Sequence, residues 1–389
     1  MTSTSAGSDP WRVGLLFSRS GYLRFTQSEH FFGAALAIKE INERGGVLGR
    51  PVEVIAYDPQ SDPHLYREFA ERLLVEDGIS VIFGCSSSAE RKAVLSSIER
   101  RNGLLWYPSF YEGFEYSPNV IYTGACPNQN SFPLANFIVA KLARRVFLMG
   151  SDYIYPRETN RIMRDLIETQ GGTVVGEVYG PPTGDPAWIR RTVDEIARLA
   201  DNGPLTVFST LVGTPSHDFY RLVHAEGLTA RGVAMTSLTL AEGEVRAIGA
   251  DVCAGHITSA TYFASLPGQA SDRFRRSFEA EYGDRATPSQ WSASSYAQVL
   301  LFAAALERCG TLDTQRLADA AQGLGVDAPE GPVRIDSDNN HAWLTPRIAA
   351  ACRDGSFEIL WQGREPVKPD PYLSSTSFRA KWIDAVEEA

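Results

Sequence analysis

Short apolar runs alternate with segments in which apolar positions recur every three to four residues, from the N-terminal end through Ser237. Val13 to Phe17 is the first run, and Phe31, Ala35, Ile38 and Ile41 then follow at helical spacing. The next strand is Val52 to Tyr57, after which a helix from Asp62 to Asp77, a strand from Ile79 to Phe83, a helix from Ser88 to Arg101 and a strand from Leu104 to Tyr107 are predicted. A second series begins after Cys126, with helices at Ser131 to Leu142, Arg157 to Gln170, Ala187 to Leu199 and from Ser216. These alternate with strands at Val146 to Met149, Thr173 to Tyr179, Leu205 to Ser209 and Val233 to Ser237. Strands alternating with helices predict α/β architecture, each series forming a doubly wound parallel sheet with helices on both faces.

From Tyr262 the pattern changes to helices at Ser271 to Tyr282, Tyr296 to Cys309 and Thr314 to Ala321, then to strand-rich sequence from Pro332 to Trp361. Asp338-Asn339-Asn340 and Asp354-Gly355 are turn signals that predict hairpins there. This region is expected to complete the two existing lobes, because it lacks the helices for a lobe of its own. No linker divides the chain, which predicts several short crossings between lobes.

The length of 389 residues exceeds what one core usually serves, in keeping with two lobes. Apolar residues make up 43% and charged residues 22%, a globular composition. A formal charge of −10 argues against direct nucleic-acid binding, which needs an electropositive face. Arg190-Arg191 and the Arg273, Arg275, Arg276 group read as solvated helix faces. No apolar stretch predicts membrane insertion, and Met1 to Pro10 shows no secretory pattern. Cys85, Cys126, Cys253, Cys309 and Cys352 form no CxxC pair, which fits reduced, mostly buried thiols and a cytoplasmic location.

Enzyme signatures are sparse. G-x-S-x-G, Walker A, H-E-x-x-H and G-x-G-x-x-G are all absent from the sequence, and no cofactor is implied. His217 and His224 share a helical face, but two histidines alone read as packing or surface residues instead of a metal site. Gly45-Gly46-Val47-Leu48-Gly49 follows a helix and reads as a stop and turn. Cys85 and Ser86 to Ser88 could serve as nucleophiles by type, yet no histidine or lysine partner is evident from spacing.

Gly84-Cys85-Ser86-Ser87-Ser88 is more informative, since it follows a strand and opens a helix. In an open α/β sheet, ligands bind at such carboxyl ends, where helix N–H groups and serine hydroxyls can hold a carbonyl or carboxylate. Trp106-Tyr107-Pro108-Ser109-Phe110-Tyr111 places rings and a hydroxyl at the same rim, and Gly150-Ser151-Asp152-Tyr153-Ile154-Tyr155-Pro156 ends a strand of the second series. Tyrosines from both lobes offer apolar walls with single hydroxyls, which suit a small uncharged polar ligand.

These residues also carry a resemblance. Gly14 to Ser18, Arg91 to Val94, Tyr111 to Asn119, Pro127 to Ser131, Gly150 to Glu158, Phe208 to Thr210, Val212 to Thr214, Asp327 to Pro329, Gly331 to Arg334 and Pro369 to Tyr372 resemble the amide sensors that negatively regulate aliphatic amidase operons. Those sensors are related to urea, short-chain amide and branched-chain amino-acid binding proteins. The resemblance runs from about Val13 to Tyr372 and implies a type I periplasmic-binding-protein-like fold, two lobes joined by three crossings near Gly124, Ser259 and Arg334. Residues 11–124 and 259–333 are then expected in one lobe, 125–258 and 334–375 in the other, with 1–10 and 376–389 as flexible or peripheral tails.

The resemblance further implies a non-enzymatic sensor that binds a small amide or urea-like ligand between its lobes through Ser88, Tyr107, Ser109, Tyr153 and Tyr155. Ser109 stands where a threonine is expected, and Ser86 where a tyrosine is expected, so the loss of a ring at position 86 favours a ligand larger than acetamide. Gly213 and Thr214 are expected on the far wall, and Asp152 is expected either to orient the tyrosine loop or to serve as a cap or turn residue. The implied partner is an RNA-binding antiterminator released when amide binds, with a homodimer among the forms the chain could take. The alternative is the substrate-binding protein of a urea or short-chain amide transporter.

Overall fold

The computed structural model describes residues 9–382. The first series folds as β1 (Trp11–Leu16), α1 (Arg24–Glu43), β2 (Val52–Tyr57), α2 (Pro63–Val75), β3 (Val81–Gly84), α3 (Ser88–Arg100), β4 (Leu104–Tyr107) and β5 (Val120–Tyr122). Its five strands are parallel in the order β2-β1-β3-β4-β5. The second series is α4 (Ser131–Lys141), β6 (Arg145–Ser151), α5 (Ile154–Thr169), β7 (Thr173–Gly180), α6 (Pro186–Ala200), β8 (Leu205–Ser209), α7 (Thr214–Ala225), β9 (Val233–Ser237), α8 (Glu242–Ile248), α9 (Ala250–Cys253) and β10 (Ile257–Ala260). The remainder is α10 (Gln269–Tyr282), α11 (Gln290–Cys309), α12 (Thr314–Ala321), β11 (Gly325–Ala328), β12 (Gly331–Ile335), β13 (Ala342–Trp343), β14 (Arg347–Ala351) and β15 (Phe357–Gln362).

The second sheet runs β15-β14-β10-β9-β8-β6-β7, so its parallel part repeats the strand order of the first. Strands β14 and β15 form an antiparallel hairpin on its edge, turning at Asp354-Gly355 as expected. Strands β11, β12 and β13 make a separate antiparallel sheet with the predicted turn at 338–340. That small sheet and helices α10 to α12 pack on the first core, where Val333, Ile335 and Leu344 join Trp106, Phe302 and Leu306.

Local chemistry explains the element ends. Asp62 and Asp185 cap α2 and α6 by accepting from the N–H two residues on, with proline at the first helical position of each. Gly310, in the left-handed region, ends α11. The Gly45 to Gly49 segment is the turn after α1, and its four positive-φ residues include Leu48.

The chain leaves the first sheet after Tyr122, leaves the second after Ala260 and re-enters it at Arg347. Gly124 lies in the first of these connections, whereas Ser259 is inside β10 and Arg334 inside β12, a few residues before their connections. Of the expected tails, residues 1–8 and 383–389 lie outside the described residues. Phe378 and Trp382 pack on the second lobe's core, and the Trp382 N–H donates to Asn136 Oδ1.

Candidate functional site

In both sheets the order reverses at the first strand, and the loops leaving the carboxyl ends of β1 and β3 face those leaving β6 and β8. Crevices at such switch points are where open α/β sheets hold ligands. A small, tightly walled cavity of about 20 Å³ lies there. Leu23 reaches it from beyond β1, Ser86, Ser87 and Ser88 from beyond β3, and Ser109 and Phe110 from beyond β4. The second lobe contributes Tyr153, Tyr155, Val212 and Thr239, and Thr26 of α1 and Trp291 of α11 complete the wall. None of these lining side chains is ionisable except the two phenols.

The structure thus gathers Ser86, Ser88, Ser109, Tyr153 and Tyr155 around one space. Tyr107 lies behind it: its hydroxyl donates to the Ser86 carbonyl at 2.6 Å, so it props the serine loop without facing the cavity. Gly213 and Thr214 stand beside the lining residue Val212 but abut the other lobe. A Cβ on Gly213 would sit 2.3 Å from the Tyr22 carbonyl oxygen, to which the Thr214 hydroxyl donates at 3.5 Å. Asp152 is exposed and accepts from Arg157 Nε at 2.6 Å, so it makes an ion pair and not a tyrosine contact. Leu23, Thr26, Phe110, Val212, Thr239 and Trp291 were not among the residues expected. Phe110 and Val212 adjoin expected positions, while Trp291 comes from a helix start far along the chain and carries no local signal.

Capping decides what the serine loop can offer. The Ser87 hydroxyl accepts from the Glu90 N–H, while Glu90 Oε2 accepts from the N–H groups of Ser86 and Ser87, each at 2.9 Å. Of the first-turn donors that a helix start leaves free, those of Ser88 and Ala89 remain. Beneath the loop, Ser88 Oγ donates to Glu112 Oε2 at 2.5 Å and accepts from Arg91 Nη1 at 3.3 Å. The fully buried Arg91 donates through Nε to Glu115 at 2.6 Å and lies between the rings of Tyr107 and Tyr111. Burial raises the Glu115 pKa, yet Arg91 and Lys92 outweigh it and hold the carboxyl at about 2.

Across the cavity, Tyr155 is 6% exposed, and its hydroxyl has no protein partner. Burial pushes both Tyr153 and Tyr155 well above the ordinary phenol range, so each presents a neutral hydroxyl. A buried hydroxyl without a partner costs about 1–3 kcal/mol. The arrangement can therefore satisfy Tyr155 with a ligand that supplies a polar atom. Nucleophilic chemistry has little support at the loop, where the buried Cys85 thiol is pushed well up by desolvation. Among the described residues no histidine or lysine is hydrogen-bonded to Ser86, Ser87 or Ser88. His217 is buried against the Phe25 ring, 5.0 Å between centroids, and burial lowers its pKa to about 4.

Beside the cavity the lobes meet along α1 and α8. The hydroxyl of the lining residue Thr26 donates to Glu244 Oε1 at 3.1 Å, and Glu29, which accepts from Ser289, lies against Gly243. Glu242 accepts from the Ala264 N–H at 2.6 Å. Burial drives Glu242 and Glu244 up to about 7 and Glu29 well above the usual carboxylate range.

Similar proteins share this architecture. A Leu/Ile/Val-binding protein homolog from Brucella abortus is 25% identical over 369 residues, covering 92% of each chain. A solute-binding protein of a transporter from Rhodopseudomonas palustris, solved with 3,4-dihydroxybenzoic acid, has a TM-score of 0.81 at 21% identity, covering 93% of this chain and 99% of that one. A branched-chain amino-acid transporter binding protein from Streptococcus pneumoniae, solved with isoleucine, has a TM-score of 0.77 at 18% identity, covering 92% and 100%. The fold is that of type I periplasmic binding proteins, and the family model for the periplasmic binding protein domain matches residues 11–378, so the chain belongs to that family.

Proposed function

We propose that this chain is a non-enzymatic receptor that closes around a small uncharged solute and serves as the substrate-binding component of a urea or short-chain amide transporter. The observation that carries the reading is the cavity itself: hydroxyl groups and aromatic rings from both lobes, with a buried, unpartnered Tyr155 hydroxyl and no Lys, Arg, Asp or Glu in its lining. An amino-acid zwitterion would bury an ammonium without a lining carboxylate, which is costly. The transporter assignment is supported by the solved structures of like fold whose names are those of transporter binding proteins.

The test is ligand-dependent stabilisation. A ligand that binds only the folded chain raises the melting temperature by mass action. Butyramide, acetamide, benzamide or urea should do so, and leucine should not. A shift with leucine alone would overturn the uncharged-solute reading.

A second reading, a cytoplasmic amide-responsive regulator acting on an RNA-binding antiterminator, is favoured by an exposed aromatic patch. Phe114 and Tyr372 are 42% and 50% exposed with ring centroids 6.5 Å apart, and Arg161 of α5 lies 5.4 Å over the Phe114 ring. Phe114 and Arg161 come from opposite lobes, so a partner seated there would sense closure. Fractionation of the native host separates the readings: an exported protein supports the transporter component, a cytoplasmic one the regulator.

A further inference from the structure

We propose that Glu112 is a specificity-determining positioning residue: it fixes the Ser88 hydroxyl as an acceptor toward the ligand, so the cleft selects a carboxamide or urea over the isosteric carboxylate. The inference rests on the receptor reading above and deepens it.

A serine hydroxyl has one proton and two lone pairs, and it ordinarily turns to suit its ligand. Here it cannot. Glu112, a carboxylate facing Arg91 at 3.8 Å, can only accept, and it takes the Ser88 proton. One lone pair of Ser88 accepts from Arg91 at 3.3 Å, which leaves the other free in a residue that lines the cavity. Ser88 therefore presents its own N–H as a donor and its Oγ as an acceptor, side by side at the start of α3. A primary amide matches that pair with its oxygen and its N–H. A carboxylate offers two acceptors, so one oxygen meets the N–H while the other faces a lone pair with the Glu112 charge behind it.

Arg91 does not rescue the carboxylate. It is 0% exposed, donates to Glu115 through Nε at 2.6 Å and Nη2 at 3.4 Å, and is held between the rings of Tyr107 and Tyr111 at 4.6 and 4.5 Å. Lys92 is directed to Glu115 at 2.8 Å. Both cations near the loop thus serve the acidic groups beneath it, and neither lines the cavity.

The experiment is calorimetric titration of the purified protein at pH 7 with two isosteric pairs, benzamide against benzoate and acetamide against acetate. The amide of each pair should bind at least about 100-fold more tightly, because a site built around a ligand N–H rejects the analogue that lacks it. In Glu112→Gln, where Ser88 regains the freedom to donate, that ratio should fall to about 10-fold or less, a change that a merely structural role would not produce. If Glu112→Gln does not melt cooperatively, Ser88→Ala carries the test: benzamide affinity should drop about 10-fold or more while benzoate changes less than about threefold. A carboxylate bound as tightly as its amide by the wild type, or an unchanged ratio in a folded Glu112→Gln, overturns the inference and leaves the receptor reading intact. Failure of all four compounds to bind counts against both.

Discussion

Tyr155 places its hydroxyl in a buried position with no acceptor or donor from the protein. Removing a hydroxyl that the fold does not use should cost the fold nothing. Tyr155→Phe is accordingly expected to keep or raise stability, by up to about 1 kcal/mol, and to weaken ligand binding by about 1–2 kcal/mol. Thermal denaturation and calorimetry on one preparation check both signs, and a loss of stability with unchanged affinity would remove Tyr155 from the site. Ser86 lines the cavity, so Ser86→Tyr should fill part of it and favour acetamide over butyramide and benzamide. An unaltered ligand ranking would mean that position 86 does not limit ligand size. At this scale the sequence was legible wherever a strand end announced a loop. Ser86, Ser88, Ser109, Tyr153 and Tyr155 follow apolar runs and line one cavity, whereas Thr26 and Trp291, which line it too, lie in helix starts that the chain brings back from elsewhere.

Helices α1 and α11 show why those starts were missed. Apolar periodicity was visible only from Phe31 and Tyr296, yet α1 begins at Arg24 and α11 at Gln290. The opening turns bury Thr26, Gln27, Glu29 and His30 in one helix and Gln290, Ser292, Ser294 and Ser295 in the other. Polar residues buried at the cleft leave no hydrophobic stripe to read. Strands β5 and β10 and helices α8 and α9 escaped for a related reason, being too short to show a period.

The polar start of α1 also has a pH consequence. Glu29 of α1 and Glu242 and Glu244 of α8 are buried together where the lobes meet. Arg24, Arg246 and Arg285 line the adjoining groove, and the neighbouring His30 is held neutral by burial, its pKa lowered to about 3. The carboxyls have raised values in this structure, and a lobe opening that returned them to water would lower them. Below the ordinary value of 4.5 they are protonated in both states and closure carries no penalty, but as pH rises toward about 7 the open form sheds protons that the closed form keeps. Ligand affinity should therefore fall from pH 5 to pH 8, with proton uptake on binding. Glu244→Gln should flatten the profile. Titrations in buffers of different ionisation enthalpy would detect the uptake, and a pH-independent affinity would show that the seam does not open to solvent.

Across the whole molecule, the strand order β2-β1-β3-β4-β5 recurs as β7-β6-β8-β9-β10. Two facing switch points make the cleft a product of topology, which the α/β rhythm already implies. The small sheet of β11 to β13 was harder to place, since its short strands complete the first core without joining either large sheet. The lobes approach closely at Gly213, which has φ +69° and where an added Cβ would meet the Tyr22 carbonyl oxygen. Gly213→Ala adds a Cβ into that contact and should hold the lobes apart, weakening binding about 10-fold or more, or roughly 1.4 kcal/mol per tenfold. Small-angle scattering should then show no ligand-induced compaction in the variant and clear compaction in the wild type.

Whether the cleft holds an uncharged polar solute through its hydroxyl groups is tested most directly by calorimetric titration of the wild type and Tyr155→Phe with butyramide, urea and leucine. Saturable, one-to-one binding of butyramide or urea that weakens in Tyr155→Phe, with no heat from leucine, is the expected result. Binding of leucine alone, or amide binding indifferent to Tyr155, would contradict it.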